Sequence, residues 1–213
     1  MNFPRKSWSQ MGEDLIVHNF LNYYGLNLSN VYYLDIGANN PREHSNTCLL
    51  YENGSRGVLV EPDSTYWPQI KHHRPEDKLL KYAVGKESKE NVPFYIMTAH
   101  SLNTISEKYR DAAINGEENY GKQKVEEVIT VDVKTINSII DEQCSRCPNF
   151  LSVDVEGLDY DILTSLDYDK YRPELICVEI NEFHTQMPEF MSSKGYRVIA
   201  DNTLNFIFAK LDK

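Results

Sequence analysis

The chain has 213 residues, 41% of them hydrophobic, with 22 Lys and Arg against 32 Asp and Glu for a formal net charge of -10. That length carries one α/β domain with a sizeable core and is too short for two full domains. No apolar run approaches the roughly 20 residues of a membrane span, the N-terminal residues lack an apolar h-region, and an acidic chain without a concentrated basic face excludes a nucleic-acid partner, so a cytoplasmic protein is expected.

In chain order, residues 9–24 predict a helix, with Leu15, Ile16, Phe20 and Tyr23 on one stripe and acids in the first turn, where they suit the helix dipole. Residues 31–36 predict a buried strand. A short helix over 45–53, stopped by Gly54, leads to a second strand over 57–60. A helix over 64–72, a third strand over 79–84 and a fourth over 91–97 follow. The helix over 64–72 runs into Lys71-His72-His73-Arg74, which reads as a solvated basic helix end. Residues 100–125 break the pattern with a polar stretch around Asn115-Gly116-Glu117, expected to be an insertion acting as a lid or substrate-covering loop. Regularity resumes with a strand over 128–131, a helix over 134–141, a buried strand over 150–155, a helix over 160–166 and a buried strand over 175–180. The tail, 196–200 and 204–209, predicts an antiparallel hairpin closing one sheet edge. The β-α-β alternation implies an α/β fold with a mostly parallel, doubly wound sheet and a reversed last strand.

Two strand ends carry the functional information. The first strand closes in Asp35-Ile36-Gly37-Ala38-Asn39-Asn40-Pro41 and the second in Glu61-Pro62-Asp63, a carboxylate beside a tight turn in each case. A glycine there lets the backbone approach a ligand in the crevice where open α/β sheets bind, and an acid ending the second strand can grip a ribose diol. The ligand expected is an adenosine derivative. A dinucleotide needs G-x-G-x-x-G and a nucleoside triphosphate needs a P-loop; only Gly37 is present, flanked by amide side chains. Such a loop suits a ligand without phosphates, such as S-adenosylmethionine. The four cysteines include Cys144-Ser-Arg-Cys147, but no second pair completes a zinc site; Cys48 and Cys177 fall in apolar patterns and read as buried thiols in a reducing compartment.

Ser9-Gln10-Met11-Gly12-Glu13-Asp14, the first loop, His44-Ser45-Asn46-Thr47, Gly57 through Asp63, Leu102-Asn103-Thr104, Phe150 through Asp159 and Pro173 through Glu179 occur in one order along the chain. Together they resemble the FkbM-type S-adenosylmethionine-dependent methyltransferases. The resemblance implies a seven-stranded class I methyltransferase fold and O-methylation of sugars or glycosylated products, with a carbohydrate or nucleotide-sugar acceptor of surface polysaccharide or glycan biosynthesis. Asn40-Pro41 stands where many methyltransferase loops have a later glycine, so this loop is expected to be stiffer and to offer one fewer N–H.

On this reading Glu61 accepts both ribose hydroxyls, and Asp35 orients the first loop or receives the ligand's ammonium. Gly37, Ala38 and Asn39 line the methionyl and ribose portions, while Pro62, Asp63, Ala83 and Val84 flank the adenosine. Gln10, Asp14, Ser45 and Asn46 face the same crevice if the family layout holds, although capping explains Ser45 equally well. Asp154 and Glu156 end the fourth core strand where methyl group and acceptor meet. The hydroxyl proton is expected to pass to His184 or Asp154 in a metal-free route. In a metal route Asp154, Glu179 and Asn181 would hold Mg²⁺. A nicotinamide-dependent oxidoreductase and a non-catalytic partner of a glycan-assembly enzyme are the alternatives.

Overall fold

A computed structural model describes residues 6–117, 121–181 and 185–211. In chain order its strands are β1 (Tyr32–Ile36), β2 (Arg56–Val60), β3 (Lys78–Leu80), β4 (Ala83–Val84), β5 (Lys89–Met97), β6 (Val125–Lys134), β7 (Phe150–Val153), β8 (Leu175–Glu179), β9 (Tyr196–Asp201) and β10 (Asn205–Lys210). Its helices are α1 (Glu13–Tyr23), α2 (Cys48–Glu52), α3 (Trp67–His73), α4 (Glu107–Asn115), α5 (Ile136–Gln143), α6 (Asp159–Ser165) and α7 (Met187–Ser193). Seven strands form one sheet in the order β3-β2-β1-β7-β8-β10-β9, and β4, β6 and β5 form a second. In the large sheet the pairs from β3 through β8 are parallel and β10 runs antiparallel to both its neighbours.

Near-continuous apolar runs, whose successive side chains point to opposite faces, explain why helices cover both faces of this sheet. Leu34, Ile36, Val58, Val60, Leu151, Val153, Ile176 and Val178 pack on one side with Ile139 and Ile140 of α5, Ile162 and Leu163 of α6 and Met191 of α7. Tyr33, Leu59, Phe150, Leu175 and Cys177 point the other way, onto Val17 and Leu21 of α1, Leu50 of α2 and Ile70 of α3. Because both faces are consumed by the core, a ligand can enter only at an edge, and the C-terminal ends of β1, β2, β7 and β8 lie side by side there.

Three expectations need correction. The strand expected over 79–84 is two strands in different sheets. β3 ends where Leu80 O accepts the Glu61 amide at 2.9 Å, and after a bend Ala83 and Val84 pair with Val133 and Lys134. The terminal hairpin closes one sheet edge as expected, and its later strand is the inner one. β10 is buried along Asn205 to Ala209 and takes the place beside β8, while the more exposed β9 forms the edge.

The supposedly irregular stretch after residue 100 contains α4. Ser106 Oγ accepts the Tyr109 amide at its start, Gly116 at φ 74° ends it, and Leu102, Tyr109 and Ala113 pack against Tyr95 and Met97. Arg74 is no solvated helix end. It is 1% exposed, its Nε donates to Asp77 Oδ2 at 2.8 Å, and its guanidinium lies 5.3 Å from the Tyr33 ring. A buried guanidinium needs such partners, because an unpaired charge in the core costs several kcal/mol.

Candidate active site

A cavity of about 390 Å³ opens at the carboxyl ends of the parallel strands, within the size range of small-molecule sites. Its walls come from the first loop, the ends of β2, β7 and β8, the β9–β10 turn, and residues 100–105 leading to α4. Backbone strain gathers here. Of the five non-glycine residues with positive φ among the described residues, Asn39 (45°), His44 (59°), Glu156 (58°) and Thr203 (73°) line the cavity, and only Asn91 does not. Such conformations cost about 1–3 kcal/mol each and persist where the surroundings impose them, commonly at binding sites. Thr203 is the least expected, since a β-branched side chain rarely tolerates this region.

The first loop is built by backbone bonds across strand ends. Gly37 and Ala38 donate to Val60 O at 3.0 and 3.1 Å, and Asp154 donates to Ile36 O at 3.0 Å. Gly37, at φ 81°, sits so close to the β7 end that a Cβ would lie 1.7 Å from the Asp154 carbonyl oxygen. Only glycine permits this approach.

The Glu61 carboxylate closes the β2 side, accepting the Asn39 amide on Oε2 and the Asp63 amide on Oε1, both at 2.7 Å. Burial nonetheless pushes its pKa up to about 8, since the two amide bonds only partly offset the loss of water. Asp35, also buried, receives the Thr47 hydroxyl; burial raises its pKa while the Arg74 charge opposes the rise.

Asp154 and Asp159 are both raised, by burial first and, for Asp154, by the neighbouring Asp159 charge. Asp159, the first residue of α6, shapes the loop before it by accepting the amides of Val155 at 3.0 Å and Gly157 at 3.2 Å. Glu156 is held from α4, where Tyr109 donates its hydroxyl to Oε2, and Thr104 donates to its carbonyl at 2.8 Å.

Among the residues singled out from sequence, Gln10, Asp35, Gly37, Ala38, Asn39, Ser45, Asn46, Glu61, Pro62, Ala83, Val84, Asp154, Glu156 and Glu179 line this cavity. Asp14 and Asp63 do not. Asp14 is buried and ties down the preceding segment, accepting Ser7 Oγ, Ser9 Oγ and the Trp8 amide at 2.6–2.9 Å. Asp63 stands behind the wall and anchors the segment that leads to α4, its Oδ2 taking His100 Nδ1 and Asn103 Nδ2, each at 2.9 Å. Of the proposed Mg²⁺ set, Asp154 and Glu179 come together at the β7 and β8 ends. Asn181 Nδ2 donates to Asp159 at 3.1 Å, and the third carboxylate beside Asp154 and Glu179 is Glu156, the three offering oxygens within 4.8 Å of one another. His184 lies outside the described residues.

Sequence reading missed Tyr66, His100, Asn103, Thr203, Leu204 and Asn205 as lining residues, and Tyr109 as the partner of Glu156. Ser106 and Gly116 were available as start and stop signals for α4; for the turn at 203–204 no local signal marked a wall of the site.

The Methyltransferase FkbM domain profile matches residues 35–198, more than half of the chain. The protein belongs to the FkbM methyltransferase family. It is therefore a methyltransferase, and S-adenosylmethionine is the usual methyl donor of such enzymes. No curated protein matches the chain in sequence. Among solved structures, a proposed RNA methyltransferase from Pyrococcus horikoshii is similar at 9% identity and a TM-score of 0.46, over 100% of this chain and 94% of its own. A precorrin-6y C5,15-methyltransferase from Geobacter metallireducens is similar at 13% identity and 0.45, over 86% and 81%. Likenesses this remote add no argument about this methyltransferase, whose α/β fold stands on the strand order itself.

Proposed function

We propose that this FkbM-family protein is an S-adenosylmethionine-dependent O-methyltransferase acting on a carbohydrate hydroxyl in glycan biosynthesis. The observation that carries the reading is a cavity with Glu61 at its β2 end and Asp154 and Glu156 at its β7 end, joined across the Gly37 crossing. The donor fits these residues: Glu61 offers acceptor oxygens for a ribose diol, and Ala83, Val84, Phe94 and Ile105 give an apolar wall for a purine. The amide side chains of Asn39 and Asn46, which line the same cavity, are suited to a methionine tail. When bound, S-adenosylmethionine supplies an electrophilic methyl group.

The protein's own contribution is positional and electrostatic. Holding donor and acceptor in near-attack geometry is worth roughly 7–11 kcal/mol of barrier at best. A sugar hydroxyl must also lose its proton, and Asp154, raised toward neutrality by burial and Asp159, is suited to take it. The 100–105 segment, which lines the cavity and leads into α4, is suited to shield this chemistry from water, the role expected of a lid.

Calorimetric titration with S-adenosylhomocysteine, followed by methyl transfer from labelled S-adenosylmethionine to a panel of sugars, tests the reading. Binding of the donor product and labelled sugar are expected. Binding of NAD without S-adenosylhomocysteine would overturn it.

A further inference from the structure

The charge of the cavity narrows the acceptor. Six acidic side chains line it, from Asp35, Glu43, Glu61, Asp154, Glu156 and Glu179, and no Lys or Arg is among the described lining residues. A phosphate entering this space would meet repulsion with no cation to offset its desolvation.

Sheet order separates the two ends of the site. Glu61 ends β2, whereas Glu179 ends β8, three strands along the sheet and therefore roughly 14 Å away at about 4.8 Å per strand. The adenosine belongs at the β2 end, which leaves Glu156, Glu179 and the β9–β10 turn for the acceptor.

Two independent observations at that end point to the same ligand. The carboxylate oxygens of Asp154, Glu156 and Glu179 lie within 4.8 Å of one another. A primary ammonium has three donors and no acceptor, and N–H···O contacts of about 2.8 Å at tetrahedral angles place its three acceptors about 4.6 Å apart. Directly across the β8–β10 register from Glu179 is Asn205. It lines the cavity and is 5% exposed; its Nδ2 donates to Glu13 Oε1 at 2.9 Å, yet its buried Oδ1 accepts no hydrogen bond. A buried orphan acceptor calls for a donor, and none of the described residues supplies one.

We propose that the acceptor binds as a cation, its primary ammonium held by Asp154, Glu156 and Glu179 at the end where Asn205 pairs with Glu179. Resting on the methyltransferase reading above, this makes the acceptor an amino sugar and rules out a nucleoside-diphosphate sugar.

The test is calorimetry on the protein saturated with S-adenosylhomocysteine, titrated with glucosamine, N-acetylglucosamine, UDP-glucose and MgCl₂. Glucosamine is expected to bind about tenfold tighter than N-acetylglucosamine, whose amine carries no charge, as befits charge-assisted hydrogen bonds. UDP-glucose should not bind. Glu179→Gln should erase the preference for glucosamine and leave the S-adenosylhomocysteine affinity within about twofold, a change below the weight of one hydrogen bond. The glucosamine comparison needs no variant, so a misfolded Glu179→Gln protein leaves the test intact. Equal binding of the two sugars, UDP-glucose binding as tight as glucosamine, or Mg²⁺ taking the site without an amine preference would each overturn the proposal. So would a loss of S-adenosylhomocysteine affinity in Glu179→Gln equal to the loss of glucosamine, which would assign the cluster to the donor's own tail. Failure of the unaltered protein to bind S-adenosylhomocysteine at all would instead overturn the methyltransferase site.

Discussion

Gly37→Ala is the perturbation that the geometry constrains most closely. Two costs add at this position. A φ of 81° lies in the left-handed region, worth about 1–2 kcal/mol for a residue with a Cβ. The new methyl would also sit 1.7 Å from the Asp154 carbonyl oxygen and 2.8 Å from its carbon, which are backbone atoms that cannot rotate away. Reaching an ordinary contact requires the first loop and the β7 end to part by more than 1 Å, and strain of that kind costs roughly 1–3 kcal/mol. The sum is about 2–5 kcal/mol, or a fall in Tm of about 5–15 °C for a chain of this size.

The separation also breaks the site, because Asp154 and the loop that meets Glu61 are the two surfaces being pushed apart. Thermal unfolding by circular dichroism and calorimetric titration with S-adenosylhomocysteine read both effects. Gly25→Ala is the control: its φ is 74° with nothing within 4 Å of the added Cβ, so only the conformational cost of about 1 kcal/mol applies. If Gly37→Ala and Gly25→Ala proved equally mild, and donor-product affinity were unchanged in both, the argument from close approach would be wrong.

Glu61→Ala should weaken S-adenosylhomocysteine binding by about 1–3 kcal/mol, or about 5- to 150-fold in Kd, as a hydrogen bond to a charged group is lost; unchanged affinity would remove Glu61 from the ribose contact. Glu61 also sets a pH dependence. Its folded pKa of about 8 exceeds the ordinary 4.5, so the folded state holds a proton that the unfolded chain releases. The stability this contributes is full below pH 4.5 and is lost as pH rises through 8. Glu61→Gln should therefore flatten the Tm-versus-pH curve of the ligand-free protein between those values, and superimposable curves would refute the assignment. Arg74→Met leaves Asp77 buried without its cation and should cost about 3–5 kcal/mol, with partial recovery in Arg74→Met/Asp77→Asn; denaturant titration decides, and a loss under 1 kcal/mol would contradict the buried pair. Tyr109→Phe should lower kcat about tenfold by removing one hydrogen bond that positions Glu156, with donor-product Kd nearly unchanged, and a purely stability-linked effect without a change in kcat would discount the contact.

The amino-acid sequence by itself determined the parallel sheet, most of its elements and the strand ends that line the cavity. Those features are local: apolar runs of strand length buried on both faces, each ending in an acid or glycine at the carboxyl edge, as in Asp35-Ile36-Gly37 and Glu61-Pro62-Asp63. Since parallel strands all present that edge on one side, a motif at the end of each run is already placed relative to the others.

What only the tertiary structure decided are the contacts between elements distant in the chain. Asp14 and Asp63, acids like Glu61 in sequence, became supports because Trp8 and His100 came back over them. Arg74 went inward because Asp77 and the Tyr33 ring closed around it. The β8 end of the cavity needed β10 to slot between β8 and β9, bringing Asn205 opposite Glu179, and α4 to lay Tyr109 on Glu156. Strand pairing across such separations is fixed by which faces bury most surface, and no window of sequence around Asn205 or Tyr109 contains that choice.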